Sequence, residues 1–166
     1  ILYIVGKVMM LEAACFLIPA VTSIIYGEHE GFAYLTVGVA AAVIGYLISS
    51  KKKFEHVFFA REGFVMVALS WIVLSVVGAI PFVVTGEIPN MIDALFETVS
   101  GFTTTGASIL EDVESLSHTS LIWRSFTHWV GGMGVIVLLL AILPMAGGYN
   151  MHLMKAESPG PVVGKL

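Results

Sequence analysis

Long uncharged stretches dominate the pattern of hydrophobic and polar positions along this chain. Windows without a charged residue cover residues 32–50, 64–84 and 125–154, and they contain 19, 21 and 30 residues. A further window, residues 8–27, is interrupted only by Glu12; in chain order it is the first of the four windows, and residues 125–154 are the fourth. A helix needs roughly 20 residues to cross a hydrocarbon core of about 30 Å. Each window therefore predicts a membrane-spanning helix.

The composition supports the same interpretation. Hydrophobic residues make up 57% of the 166 positions and charged residues 12%, with a mean hydropathy of +0.93. Soluble domains are about a quarter charged, and four apolar windows leave too little polar surface for a soluble domain. We therefore predict an all-α integral membrane protein. The single cysteine, Cys15, excludes a disulfide framework within the chain.

A short segment between the third and fourth windows has the features of a helix that cannot cross. Pro89 and Asn90 predict a helix start, with Asn90 as the N-cap, and Asp93 lies near the positive end of the helix dipole. The helix predicted over residues 91–101 is about 16 Å long, half of what crossing requires. Gly101 is expected to end it, after which the chain returns outward.

The returning segment, residues 103–108, consists of three threonines followed by glycine, alanine and serine. Irregular backbone at membrane depth is tolerated only when it is buried in protein or lines an aqueous path. Rows of carbonyl oxygens replace the hydration shell of a permeating cation. The threonines favour extended geometry, and Gly106 permits angles that strain other residues. We predict a cation filter, against the alternative of a polar loop outside the membrane.

Charges predict the orientation of the helices. The connection between the second and third windows and the segment after the fourth carry basic residues, whereas the other turns are acidic. The positive-inside rule places the basic side in the cytoplasm. The residues concerned are Lys7, Lys51, Lys52, Lys53, Arg61, Lys155 and Lys165. Glu12 lies toward the cytoplasmic end of its window, so we expect it to reach Lys7 or water rather than to act as a coupling acid.

Several stretches of the sequence resemble one membrane-protein family. They are DALFETVSGFTTTGAS, WRSFTHWVGGMGVIVLLLAILP and KAESPGP, together with REGF at residues 61–64. The resemblance is to the membrane subunit of Trk-type potassium-uptake systems, within the Trk/Ktr/HKT superfamily. It implies a multi-pass protein of the bacterial inner membrane with four helix–pore-helix–helix repeats after two extra helices. It also implies a homodimer in lipid, a cytoplasmic nucleotide-binding regulatory subunit, potassium as the substrate, no other cofactor and no nucleic acid.

The resemblance aligns the chain with the start of such a protein. Residues 1–62 match the two-helix hairpin and its basic connector, and residues 63–166 match the first channel-type repeat. Within the repeat the expected elements are, in order, a helix over 64–84, a pore helix over 91–101, a filter over 103–108 and a helix over 121–148. We expect an N-terminal portion of a longer protein or a truncated relative.

Matching the family motif residue by residue assigns the filter. Thr103 lies at its inner mouth, and the positions after it are Thr104, Thr105, Gly106, Ala107 and Ser108. The resemblance implies that the backbone of Thr104, Thr105 and Gly106 binds potassium. Gly106 favours potassium, because sodium-passing relatives can carry serine there. Asp93, Glu97 and Gly101 support the pore helix. The two acids either add negative potential near the pore or hydrogen-bond to neighbouring backbone.

Two other functions compete with ion conduction. An intramembrane serine hydrolase would pair Ser108 with His128, but Ser108 has no nucleophile-elbow pattern and the triple threonine would be unexplained. A non-conducting assembly fragment is the other alternative, because one repeat is present. In the last helix, Trp129, Gly131, Gly132 and Gly134 predict either a hinge or close packing against a neighbouring helix.

Overall fold

The computed structural model describes residues 2–50 and 60–142, and within these ranges every regular element is an α-helix. The order of the elements places a short helix between two long ones in the second half of the chain. The helices are α1 (Leu2–Cys15), α2 (Leu17–Tyr26), α3 (Gly31–Ser50), α4 (Ala60–Thr85), α5 (Met91–Phe102) and α6 (His118–Ile142).

Three helical stretches are long and apolar enough to cross a membrane, namely Leu2–Tyr26, Gly31–Ser50 and Val65–Thr85. They coincide with the first three predicted windows, so the all-helical membrane fold is confirmed. The fourth window, residues 125–154, begins within α6 and continues past Ile142, outside the described residues.

Several sequence-based predictions fall on residues whose structure is not described. The lysines at positions 51–53, 155 and 165 are among them, so the orientation of the helices stays a prediction. The domain boundary expected after residue 62 likewise stays a prediction.

The chain divides into two compact units, residues 1–131 and 132–166. The first contains α1 to α5 and α6 as far as Gly131, and in the second the described residues 132–142 are helical.

The first span is interrupted, whereas the sequence predicts one continuous helix. The break lies at Phe16, between α1 and α2. Its cause is Pro19, which has no N–H group and therefore gives no helical hydrogen bond to the carbonyl four residues earlier. The chain nevertheless stays helical, because the amide of Phe16 donates to the Glu12 carbonyl at 3.1 Å and that of Ala20 to the Phe16 carbonyl at 3.3 Å. The two helices form one apolar stretch.

Glycines let α1 and α3 approach to backbone contact. A Cβ atom at Gly6 would lie 2.7 Å from the carbonyl oxygen of Gly45, and one at Gly45 would lie 2.6 Å from that of Gly6. Small residues are typical of close helix crossings in membranes, where packing replaces the hydrophobic effect between helices. We call the contact between these two residues the glycine crossing.

Aromatic side chains fill the core where the other helices meet. The rings of Phe16 and Trp123 lie 4.5 Å apart between their centroids, and Tyr34 of α3 packs edge-on against both. The indole N–H of Trp123 donates to the carbonyl of Gly78 in α4 at 3.0 Å. The core therefore joins the first span, α3 and α4 to the beginning of α6.

Candidate ion-conduction site

The short helix α5 has the predicted start and ends one residue later than predicted. The side chain of Asn90 accepts a hydrogen bond from the amide of Ile92 at 3.0 Å, which confirms Asn90 as the N-cap. Asp93 lies in the first turn, where a negative charge is favourable. The helix ends at Phe102 rather than at Gly101. Its 12 residues span about 18 Å, too little to cross a membrane.

Gly101 has a packing role instead of a terminating one. A Cβ atom at this position would collide with the hydroxyl of Thr127 in α6. A Cβ atom at Gly131 would likewise collide with the carbonyl of Phe102. The end of α5 therefore lies against the backbone of α6, and close packing explains Gly131 without a hinge.

The helix ends through a pair of backbone hydrogen bonds that also shape the predicted filter, residues 103–108, which we call the filter segment. The amide of Thr104 donates to the carbonyl of Gly101 at 2.9 Å, and that of Thr105 to the carbonyl of Ser100 at 3.0 Å. This is the Schellman pattern, which needs a left-handed residue at the position of Thr104. Thr104 has a φ of +56°, so the extended geometry predicted for the threonines is wrong there. The helix-terminating bonds override the preference of a β-branched residue.

Hydroxyl groups fasten the threonines to one another and to α5. Thr103 Oγ1 donates to the carbonyl of Val99 at 2.7 Å, and it lies 2.7 Å from Thr105 Oγ1. Because the Thr103 proton is used, Thr105 is the donor in the second contact. Thr104 Oγ1 donates to the carbonyl of Thr103 at 2.7 Å. The side chains therefore hold the start of the filter segment in a fixed bend.

Gly106 has the backbone conformation that the sequence predicts for it. Its φ is +75°, in the left-handed region that residues with a Cβ atom rarely adopt. A Cβ atom there would meet nothing within 4 Å in the described part of the chain. Backbone strain, rather than lack of space, therefore disfavours a side chain at this position.

Glu97 anchors the C-terminal end of the filter segment. The residue is only 1% exposed. Its carboxylate accepts hydrogen bonds from the Ser108 hydroxyl at 3.0 Å, from the Ile109 amide at 3.1 Å and from the Arg124 guanidinium. Arg124 also balances its charge. Of the two roles considered for this acid, hydrogen bonding to neighbouring backbone is the one that the contacts favour.

Two residues of this network were not singled out as site residues in the sequence. The hydroxyl of Ser100 donates to the carbonyl of Ala107 at 2.5 Å and ties the filter segment to α5 a second time. Arg124 comes from α6, 27 positions away from Glu97. The only available signal was that Arg124 is the single basic residue on the predicted outer side.

The contacts of Ser108 do not favour a hydrolase. Its hydroxyl donates to Glu97, and its oxygen accepts from the amide of Leu110 at 3.1 Å. His128 Nδ1 is 3.0 Å from the carbonyl of Arg124 and therefore donates to it. Within the described residues neither contact belongs to a nucleophile and base pair, which would need a hydrogen bond between the two side chains.

The filter segment and one face of α5 are open to the surroundings. Every residue from 103 to 109 is exposed. On α5 the apolar side chains of Ile92, Phe96 and Val99 are 75%, 47% and 39% exposed. A groove of about 350 Å³ lies between this face and the filter segment. Polar backbone and apolar side chains are thus exposed side by side.

Two glutamates from different loops hydrogen-bond to the start of α6. Glu28 accepts hydrogen bonds from the amides of His118 and Thr119 at 2.8 and 2.9 Å and from the Thr119 hydroxyl at 2.5 Å. Desolvation raises the pKa of Glu28, but the hydrogen bonds from Thr119 and His118 outweigh it and lower the pKa to about 2. Glu87 accepts from the Ser117 amide at 2.7 Å and from the Ser120 hydroxyl. The α2–α3 turn and the α4–α5 loop are thus both tied to the start of α6.

Comparisons with known proteins agree with one another. The family model described as "TrkH: Cation transport protein" matches residues 31–166. The Trk system potassium uptake protein TrkH of Escherichia coli (strain K12) is 43% identical over 96% of this chain and 33% of its own length. The protein TrkG of the same organism is 37% identical over 94% of this chain and 33% of its length.

A solved structure also matches. The crystal structure of the potassium transporter TrkH from Vibrio parahaemolyticus superimposes with a TM-score of 0.81 and 35% identity. The match covers 87% of this chain and 31% of that one. The chain therefore spans about a third of the length of the relatives it matches.

Proposed function

Because the chain belongs to the TrkH family of cation transport proteins, a multi-pass membrane family rather than an enzyme family, we propose that it supplies one side of a potassium-selective pore. Residues 103–108 are the filter segment, and the backbone carbonyls of Thr104, Thr105 and Gly106 contact the ion. The layout is a two-helix hairpin followed by one helix–pore-helix–filter–helix repeat. The complete transporter takes up potassium across the bacterial inner membrane, with the basic connections in the cytoplasm.

One observation carries this proposal. A capped helix too short to cross a membrane is followed directly by exposed backbone that contains two left-handed residues, Thr104 and Gly106. Such backbone is tolerated at membrane depth only where it lines an aqueous path or meets protein. The negative end of the α5 dipole also points toward this segment, which favours a cation.

Ion movement through such a filter needs no chemical step. Carbonyl oxygens replace the ion's water, and an inside-negative potential contributes about 2.3 kcal/mol per 100 mV to the entry of one charge. Uptake can therefore be concentrative. The pore-forming protein is expected to be a homodimer in lipid with a cytoplasmic nucleotide-binding regulatory subunit, as the family resemblance implies.

A single repeat is not a complete pore. A filter surrounds the ion from about four sides, and this chain supplies one of them. The exposed apolar face of α5 and the open filter segment support the same conclusion. We expect the 166 residues, reconstituted alone, to show no potassium flux, whereas the complete transporter conducts. Potassium-selective flux from the isolated chain would instead show that four copies close a ring.

The decisive experiment replaces Gly106 by serine in the complete transporter. Rubidium and sodium fluxes into vesicles are measured for Gly106→Ser and for the control Gly86→Ser. Gly86 lies outside the filter, but it has a φ of +79° and equally open surroundings. The two substitutions therefore impose similar backbone strain, and only Gly106→Ser does so in the filter. We expect Gly106→Ser alone to reduce discrimination against sodium. Unchanged selectivity for potassium over sodium in both variants would show that Gly106 is not part of the filter.

A further inference from the structure

A carboxyl group is buried inside the first membrane-spanning stretch. Glu12 is only 2% exposed, and neither of its carboxyl oxygens has a hydrogen-bond partner among the described residues. The hydrogen bond to Lys7 that the sequence left open is therefore not formed among these residues. The reason lies in α4, where the missing side chain of Gly78 leaves room for the carboxyl. A Cβ atom at Gly78 would lie 3.1 Å from Glu12 Oε1.

The elements packed around Glu12 offer it no cation. The Thr98 hydroxyl of α5 donates to the carbonyl of Ala94 at 2.8 Å, and the Trp123 indole of α6 donates to that of Gly78. Both nearby donors are thus used. On its own helix, the thiol of Cys15 lines the same cavity.

Charged and titratable groups on the other helices are also occupied. Arg124 of α6 is paired with Glu97 of α5. The phenol of Tyr34 in α3 lies 2.9 Å from the Ser120 hydroxyl. Since that hydroxyl donates to Glu87, Tyr34 is the donor to Ser120. Over the described ranges, Glu12 therefore has neither a positive charge nor a hydrogen-bond donor.

A cavity of about 60 Å³ adjoins the carboxyl. Its wall is apolar apart from Glu12 and Cys15. A water molecule needs roughly 10–15 Å³ of such space, provided that polar partners are present. The wall includes Leu74 of α4, Phe102 of α5, and Trp123 and Phe126 of α6. Phe102 is the last residue of α5, directly before the filter threonines.

Energetics decide between the states available to this group. An ionised carboxylate without a partner in the membrane interior is strongly unfavourable. Binding a proton removes the charge, and the neutral acid then has one O–H donor and a carbonyl acceptor. A single water molecule held by the carboxyl in the adjoining cavity would accept from the O–H and donate to the carbonyl. We propose that Glu12 is a proton-binding site inside the membrane, which shares its cavity with water and lies behind the end of the pore helix.

Infrared difference spectroscopy of the complete transporter in lipid vesicles tests this site. A protonated carboxylic acid has a C=O stretch that a carboxylate lacks. We expect the wild type at neutral pH to show this band and Glu12→Gln to lose it. Glu111→Gln, which removes an exposed carboxyl from the outer loop, is the matched control and should keep it. Glu12→Asp retains a carboxyl, so it should move the band rather than remove it.

Two outcomes would overturn the proposal. A carboxylate band in the wild type that disappears in Glu12→Gln would show an ionised group with a partner outside the described residues. An acid band at the frequency of a carboxyl without hydrogen bonds would show that no water molecule binds Glu12 in the cavity. Neither readout depends on ion flux, so the proton site and the potassium pore can fail separately. Glu12→Gln should also keep the melting temperature within a few degrees of the wild type, since it replaces one neutral group by another.

Discussion

The filter segment and the glycine crossing are both places where backbone comes close to other backbone, but they are held in opposite ways. The filter segment is fixed by hydrogen bonds, above all those that reach the buried carboxylate of Glu97. The glycine crossing of Gly6 and Gly45 is fixed by the absence of side chains. The first arrangement depends on which polar groups are present, and the second only on volume.

This difference has a functional meaning. Hydrogen bonds set the direction of individual carbonyl and amide groups, which a filter requires. Volume complementarity sets only how close two helices lie. Polar substitutions should therefore disturb the filter segment more than the glycine crossing, whereas added methyl groups should disturb the glycine crossing more.

The largest effect is expected from breaking the ion pair between Glu97 and Arg124, which holds the filter segment. Glu97→Gln leaves the Arg124 guanidinium without its buried counter-charge, and loss of one partner of a buried pair costs about 3–5 kcal/mol. We expect a marked fall in the melting temperature of the purified complete transporter. The double variant Glu97→Gln with Arg124→Gln should recover part of the loss. Strictly additive effects would show that the pair is not coupled.

The next effect concerns Glu28 and the pH. Its pKa lies at about 2 in the folded chain, below the usual 4.5, so the stabilisation is complete above pH 4.5 and is lost as the pH falls toward 2. Hydrogen bonds to a charged group are worth about 1.5–3 kcal/mol. Melting temperatures should therefore fall in this range for the wild type. In Glu28→Gln the fall should be smaller; an identical pH profile would exclude Glu28 as its cause.

A smaller effect should come from the glycine crossing. In Gly6→Ala the new methyl group would press on the carbonyl of Gly45, and overpacking costs about 1–3 kcal/mol. The control is Gly63→Ala, because a Cβ atom there meets nothing within 4 Å in the described chain. The control should be neutral or stabilising by up to about 1 kcal/mol through helix propensity. Equal melting temperatures of the two variants would contradict a tight crossing.

The smallest effect is expected at the start of the pore helix. Asn90→Ala removes the side-chain acceptor of the Ile92 amide and should cost about 1 kcal/mol, whereas Asn90→Ser keeps an acceptor and should cost less. Thermal unfolding of both variants measures the difference. Since α5 carries the filter segment, sodium discrimination should weaken only in Asn90→Ala. Identical behaviour of the two variants would argue against the cap.

Local signals predicted much of the candidate site. The N-cap at Asn90 and the left-handed backbone at Gly106 follow from single residue types. The left-handed conformation of Thr104 did not follow, because the terminating bonds of α5 override the preference of threonine. The pairing of Glu97 with Arg124 was also missed, since it joins two helices at a spacing that has no periodic pattern. In the fold, three of the predicted windows correspond to helices long enough to cross a membrane, but the pattern did not predict the break at Phe16.

The cap that Glu28 places on α6 has a consequence for the order of synthesis. The acceptor and its first amide donor are 90 positions apart. Ribosomes add about 5–20 residues per second, so the hairpin turn is made roughly 5–20 seconds before the amides that it will bind. During that interval the carboxylate of Glu28 has water as its partner, and docking of the start of α6 is the event that closes the α2–α3 turn. Nascent chains arrested before residue 118 therefore present an open α2–α3 turn, which a protease with access to that side of the membrane should cut faster than in released chains.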